Sequence, residues 1–151
     1  FDESFHFGGE DTAAGWAALA AGGRWLFDET CSVTHDVTER SVRWHLTMAW
    51  REGALIDVAR RYPQLRTDGF WHRRIHARRN GAFVLGVVSS GLAVALTPWA
   101  LVGWMPWVQM RVPGTRHPLH LGKNVAFRFV NDAVAEAGML YGSIRNRTLV
   151  L

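Results

Sequence analysis

The stretch GGEDTAAGWAALAAGG, residues 8–23, sets two glycines ahead of two adjacent carboxylates, Glu10 and Asp11, at the mouth of an alanine-rich run. Glycines let a backbone come close to a ligand, because no side chain stands in the way. A carboxylate at the start of a helix is favoured as the anion by the helix dipole. Such a group can take the proton from a hydroxyl as that hydroxyl attacks an electrophilic carbon. There is also a purely structural alternative. Asp is a good N-cap, and acids in a first turn complement the dipole by about 0.3–1 kcal/mol each. Farther along, His35 offers a neutral imidazole, suited to a divalent ion that carries phosphates or else simply solvated. Asp11 and Glu10 are thus the candidate catalytic pair. Gly8, Gly9 and Trp16 are the candidate substrate-binding residues, and His35 is the candidate metal ligand.

The elements that must position these groups fall into four zones. Within the first, residues 1–63, the part up to about Val37 reads as mixed α/β. A helix is predicted over 11–21, where Trp16, Leu19 and Ala20 share a face and Gly22-Gly23 stops it. Short β-type runs follow at 24–27 and 32–37, with Asp28-Glu29 in a turn between them. A longer helix is predicted over 38–62, ended by Pro63. Residues 64–80 form a basic linker with Arg66, Arg73, Arg74, Arg78 and Arg79. Residues 81–110 then carry no charge at all. That run is long enough to cross a bilayer, which takes roughly 20 apolar residues. Thr97-Pro98 divides it, and arginine flanks both sides, Arg79 before and Arg111 after. The pattern predicts a membrane-associated hairpin of two short helices with both ends on the cytoplasmic side, its preceding arginines at headgroup level. The competing reading is a helical pair buried in a core. Residues 111–151 open with a Pro- and His-containing loop and continue as an amphipathic helix over about 124–141.

The bulk numbers bound these readings. With 151 residues, 48% hydrophobic and 20% charged, the chain is long enough for one domain with a real core and is not of disordered composition. A formal charge of +4 fits nucleic acid, an anionic membrane surface or phosphate-bearing ligands. Cys31 is the single cysteine, so an intramolecular disulfide and a cysteine-rich zinc site are both excluded.

The opening FDESFHFGGEDTAAGWAALAAGGRWLFDETCSVTHDV resembles the second half of the catalytic domain of family 2 glycosyltransferases, inverting enzymes of the GT-A type. The match rests on Phe1-Asp2-Glu3, on Gly9-Glu10-Asp11, on the glycine at 22 or 23, and on His35. The resemblance implies a transferase moving a sugar from a nucleotide-sugar donor to a hydroxyl of a glycan or lipid-linked acceptor. Asp11 would be the general base and Glu10 its acceptor-side neighbour. His35 would join a site for a divalent metal, Mg or Mn, and the donor diphosphate. It implies a place at the cytoplasmic face of the cell membrane, in the making of envelope polysaccharide. The Gln-x-x-Arg-Trp element of processive synthases is incomplete in SVRWHLTMAWREG, so a processive polymerase is not expected. No two aspartates stand two apart, and no βαβ pattern precedes Phe1. The expectation is therefore the acceptor side of such an enzyme, a fragment inactive alone, with an α/β part turning mainly α. Two other functions compete. One is a non-enzymatic membrane-peripheral scaffold. The other is a basic nucleic-acid-binding module built on RRYPQLRTDGFWHRRIHARRN, disfavoured because its arginines abut the uncharged run.

Overall fold

The structure, a computed structural model, describes residues 8–26, 28–34, 38–112 and 118–151. Among the described residues the chain is mostly helical, with seven α-helices and no strand. Helix α1, Glu10–Ala20, begins after Gly9 and ends in a Schellman turn. There Gly22 N–H donates to Leu19 C=O at 3.0 Å and Gly23 N–H to Ala18 C=O at 2.9 Å. Helix α2, Val42–Arg51, starts where Ser41 Oγ accepts from Trp44 N–H at 3.2 Å. That cap sets the start, four residues later than the apolar spacing predicted. A single 3₁₀ turn, Glu52–Ala54, joins α2 to α3, Leu55–Arg61. Pro63 ends α3 and starts the short α4, Gln64–Asp68.

Among the described residues, neither β-type run is a strand. Residues 24–26 and 32–34 are irregular, and the remainder of both runs lies outside the described residues. A strand needs a ladder partner for its N–H and C=O groups, and an isolated pair is marginal in water. Among the described residues neither run has one. Trp25 and Leu26 are 70% and 89% exposed, and the Trp25 ring folds back over Gly15 of α1. The turn between the runs does form. Asp28 Oδ1 accepts from Thr30 N–H at 2.9 Å and from Thr30 Oγ1 at 2.6 Å.

Residues 64–80, about half of them exposed, are tied to the fold at Leu65 and Phe70. Leu65 and Phe70 join Ala13, Ile56, Val58, Ala59, Met139 and Val150 in one core, with Trp16 and Tyr62 against it. Leu151 clips this segment, donating from N–H to Arg74 C=O at 2.8 Å and accepting from His76 N–H at 2.6 Å. Ser143 secures the same tail, since its Oγ accepts from Val150 N–H at 3.0 Å and donates to Val150 C=O at 2.6 Å.

The uncharged run forms a pair of helical arms of unequal length. Helix α5, Arg78–Ala95, is followed by a break at Leu96 and Thr97. Thr97 is extended, as the residue before a proline prefers. The return arm is a 3₁₀ segment, Pro98–Trp104, and then α6, Met105–Arg111. Its ring cluster, Phe83, Trp104, Trp107 and Phe129, has centroids 5.3–6.2 Å apart and seals the base against α7, Pro118–Arg145. Toward the tip the apolar surface faces outward. Val94 is 92% and Trp99 82% exposed. Among the described residues no helix is long and apolar enough to cross a membrane. Arg79 does not face outward as expected. It pairs with Glu52.

Helix α7 runs longer than its predicted 18 or so residues, extending at both ends. It crosses the 3₁₀ turn at backbone contact. Gly53 rests on the Gly138 carbonyl, and a Cβ at Gly142 would stand 2.6 Å from the Gly53 oxygen. Three small residues permit that approach, and two of them are spaced Gly-x-x-x-Gly along one face of α7.

Candidate functional site

Gly8 and Gly9 lead into α1 at φ values of +115° and +89°, a region open to glycine and strained for other residues. Gly9 is the N-cap, and no side chain caps the helix. This displaces the structural alternative of an aspartate cap: Asp11 sits inside the first turn. Gly9 also packs closely, since a Cβ there would stand 3.1 Å from Val58 Cγ2 and 3.6 Å from the Ala54 oxygen. The N-terminus of α1 is thereby fixed to the turn between α2 and α3.

Glu10 and Asp11 differ in surroundings although they are neighbours. Asp11 is exposed. Glu10 is half-buried, and its Oε2 is buried with no hydrogen-bond partner among the described residues. Buried polar atoms are nearly always paired, so an orphaned carboxylate oxygen beside an open carboxylate marks a place where a donor belongs. Trp16 lies farther along α1, on the face that carries Ala13 into the core. It walls a cleft of about 360 Å³ with Leu19, Arg61, Tyr62 and Gln64. Gly8, Gly9, Glu10 and Asp11 thus form one cluster, and Trp16 opens onto a different cleft. His35 lies outside the described residues, as do Phe1, Asp2 and Glu3. Among the described residues no group of three His, Cys, Asp or Glu side chains could hold a metal ion, so they offer no donor set that fits one.

A partly buried ionic cluster escaped the sequence reading. Glu52 pairs with Arg79, and His76 Nδ1 stands 3.4 Å from Glu52 Oε2, an ion-pair contact rather than a well-made hydrogen bond. Burial works to raise the Glu52 carboxyl, but the contacts and charges of His76 and Arg79 outweigh it and hold Glu52 below the usual carboxylate range. One turn apart on α7, Asp132 accepts from Trp107 Nε1 and Arg111 Nε, each at 2.8 Å, and Glu136 faces Asn80. Both Glu136 oxygens and Asn80 Oδ1 are buried without a partner among the described residues. Burial, with Glu52 and Asp132 adding to it against Asn80 and His76, pushes Glu136 up to about 7. The signal in the sequence was an acid inside an apolar stripe: Asp132, Ala135 and Met139 share the buried face of α7.

The sign of the pH dependence follows. Glu136 is raised above its unfolded value of 4.5, so the folded state binds this proton more tightly. It imposes no penalty at low pH and weakens the fold as pH rises through about 7. Glu136→Gln removes the titration and keeps the shape. The variant should melt like the wild type near pH 4 and exceed it by roughly 3–6 °C at pH 8. That shift corresponds to about 1–2 kcal/mol after allowance for solvent screening. Thermal melts of both chains across this range check it. A constant difference at all pH values would mean that Glu136 does not titrate there.

Compared with known proteins, the chain matches no family model, no curated protein and no solved structure.

Proposed function

We propose that the chain forms the acceptor side of an inverting glycosyltransferase of the GT-A type. The observation that carries this reading is the pairing of an exposed, uncapped Asp11 with the orphaned Glu10 oxygen, behind two glycines that leave the backbone clear. Asp11 takes the proton of an acceptor hydroxyl while that oxygen attacks the anomeric carbon of a nucleotide sugar. The bond from that carbon to the nucleoside diphosphate breaks with its electrons, and the configuration inverts. Glu10 accepts a hydrogen bond from the acceptor and orients it. The divalent metal that the family resemblance brings belongs to His35 and the donor side, and the deprotonation step uses none.

The exposed apolar tip of the hairpin supports shallow insertion into a membrane surface, and the cytoplasmic face is part of the reading that the resemblance brings. It also favours the second reading, a membrane-peripheral scaffold without activity. Nucleic acid binding has less support, because Arg79 and Arg111 are committed to Glu52 and Asp132.

One experiment separates the readings. Membranes bearing the intact protein are washed in about 1 M salt, which screens surface charge. They are then supplied with UDP-glucose, UDP-galactose and GDP-mannose, and nucleoside diphosphate release is followed. Retention with release above hydrolysis supports the transferase. Retention without release from any donor favours the scaffold. Loss in the wash overturns apolar insertion.

A further inference from the structure

Between α2, α6 and α7 lies a cavity of about 380 Å³, lined by His45, Arg111, Asn124, Phe127, Arg128 and Asn131. Helical spacing builds most of it. Asn124, Phe127, Arg128 and Asn131 recur at three- and four-residue intervals, so α7 presents them on one face. None of the lining residues is acidic. The carboxylate that Arg111 meets, Asp132, is buried and already accepts from Trp107 and Arg111. That contact fixes the Arg111 guanidinium in place and raises its already high pKa, Asp132 being the first cause. Arg128 is half-buried and has no hydrogen bond or ion pair among the described residues, and the same holds for the amides of Asn124 and Asn131. His45 and Phe127 pack edge to face, with centroids 5.7 Å apart, and form an apolar wall.

We propose that this cleft binds a phosphoryl group. It converges donors and holds no carboxylate: one free guanidinium fork, a second held rigid, and two amides. A planar fork meets phosphate oxygens two at a time, and hydrogen bonds to a charged partner are about twice as strong as neutral ones. The volume holds the phosphoryl group and a small ester substituent against the His45–Phe127 wall. The group can arrive as a soluble phosphate or as a lipid headgroup, and α6, which carries Arg111, belongs to the apolar hairpin. No residue of the cleft belongs to the Gly8–Asp11 cluster, so this inference stands or falls apart from the transferase reading.

The test uses the full chain, isotope-labelled, at constant ionic strength. Inorganic phosphate should move the side-chain amide signals of Asn124 and Asn131 saturably, and acetate should not. Arg128→Gln should weaken phosphate binding by at least about tenfold. Arg60→Gln, at an exposed position on α3, should leave it unchanged. Flotation with phosphatidylcholine vesicles, with and without phosphatidic acid, then identifies the source. Phosphatidic acid-dependent retention that Arg128→Gln abolishes assigns a headgroup. Equal retention of both chains, with glycerol phosphate shifting the same amides, assigns a soluble ester. Acetate and phosphate acting alike, or binding unaffected by Arg128→Gln, overturns the proposal.

Discussion

On the transferase reading proposed above, Asp11→Asn in the intact protein lowers turnover by about 10²–10⁴-fold, the span that general-base catalysis supplies, and leaves folding nearly untouched. The two consequences separate because of where Asp11 sits. Its side chain is exposed, and Gly9 rather than Asp11 caps α1. The amide is isosteric with the carboxylate, so it keeps the shape and loses only the proton acceptor. The helix-dipole term that also disappears is about 0.3–1 kcal/mol. In a chain of this size that lowers the melting temperature by no more than roughly 2–4 °C. Steady-state kinetics and a thermal melt on the same preparation therefore decide the matter. Near-normal turnover with a lowered melting temperature would make Asp11 a structural acid and no base.

Gly53→Val is expected to lower the melting temperature by roughly 6–12 °C, or to prevent accumulation of folded protein. Overpacking a core typically costs about 1–3 kcal/mol, and each kcal/mol shifts the midpoint by a few degrees at this length. The upper end applies because the obstacle is backbone. A side chain at Gly53 meets the Gly138 carbonyl, one at Gly138 meets the Trp50 carbonyl, and one at Gly142 meets Gly53 again. No rotamer change relieves contacts of that kind. The elements must separate, which opens the core around Ile56 and Met139, both fully buried. Gly91→Ala is the matched control. Nothing stands within 4 Å of a Cβ there, so the helix propensity of alanine should stabilise α5 by about 0.4–1 kcal/mol. Equal melts for Gly53→Val and the wild type would refute the backbone crossing.

The features legible in the sequence were the local ones. The stop of α1 at Gly22-Gly23 and the break before Pro98 follow from backbone restrictions that each residue carries by itself. The acidic pair at the mouth of α1 was equally plain. The β-type runs failed for the opposite reason. Composition favours a strand, but a ladder partner decides it, and Trp25 packs on Gly15 instead. The ionic cluster gathers Glu52, His76, Arg79, Asn80, Asp132 and Glu136 from segments far apart in the chain, so no window of sequence contains it. The cleft beside Arg128 was partly legible, because its α7 residues are evenly spaced. His45 and Arg111 reach it only through packing. The Gly138–Gly142 spacing was visible, and Gly53 as its partner was not.

The clip between Leu151 and the 74–76 segment has a consequence for how far the hairpin can reach. Its two hydrogen bonds pin together the two ends of a long excursion of chain that contains α5, α6 and α7. The entropy of closing such a loop grows only as about (3/2)RT ln n, so even a doubling of its length costs about 0.6 kcal/mol. Residues could be added or removed around the break at Leu96 and Thr97 with little effect on the closure, provided the base around Phe83 and Trp107 stays packed. Reach is therefore a free variable of this fold. The outer tip can be lengthened or shortened while the acidic mouth of α1 keeps its geometry.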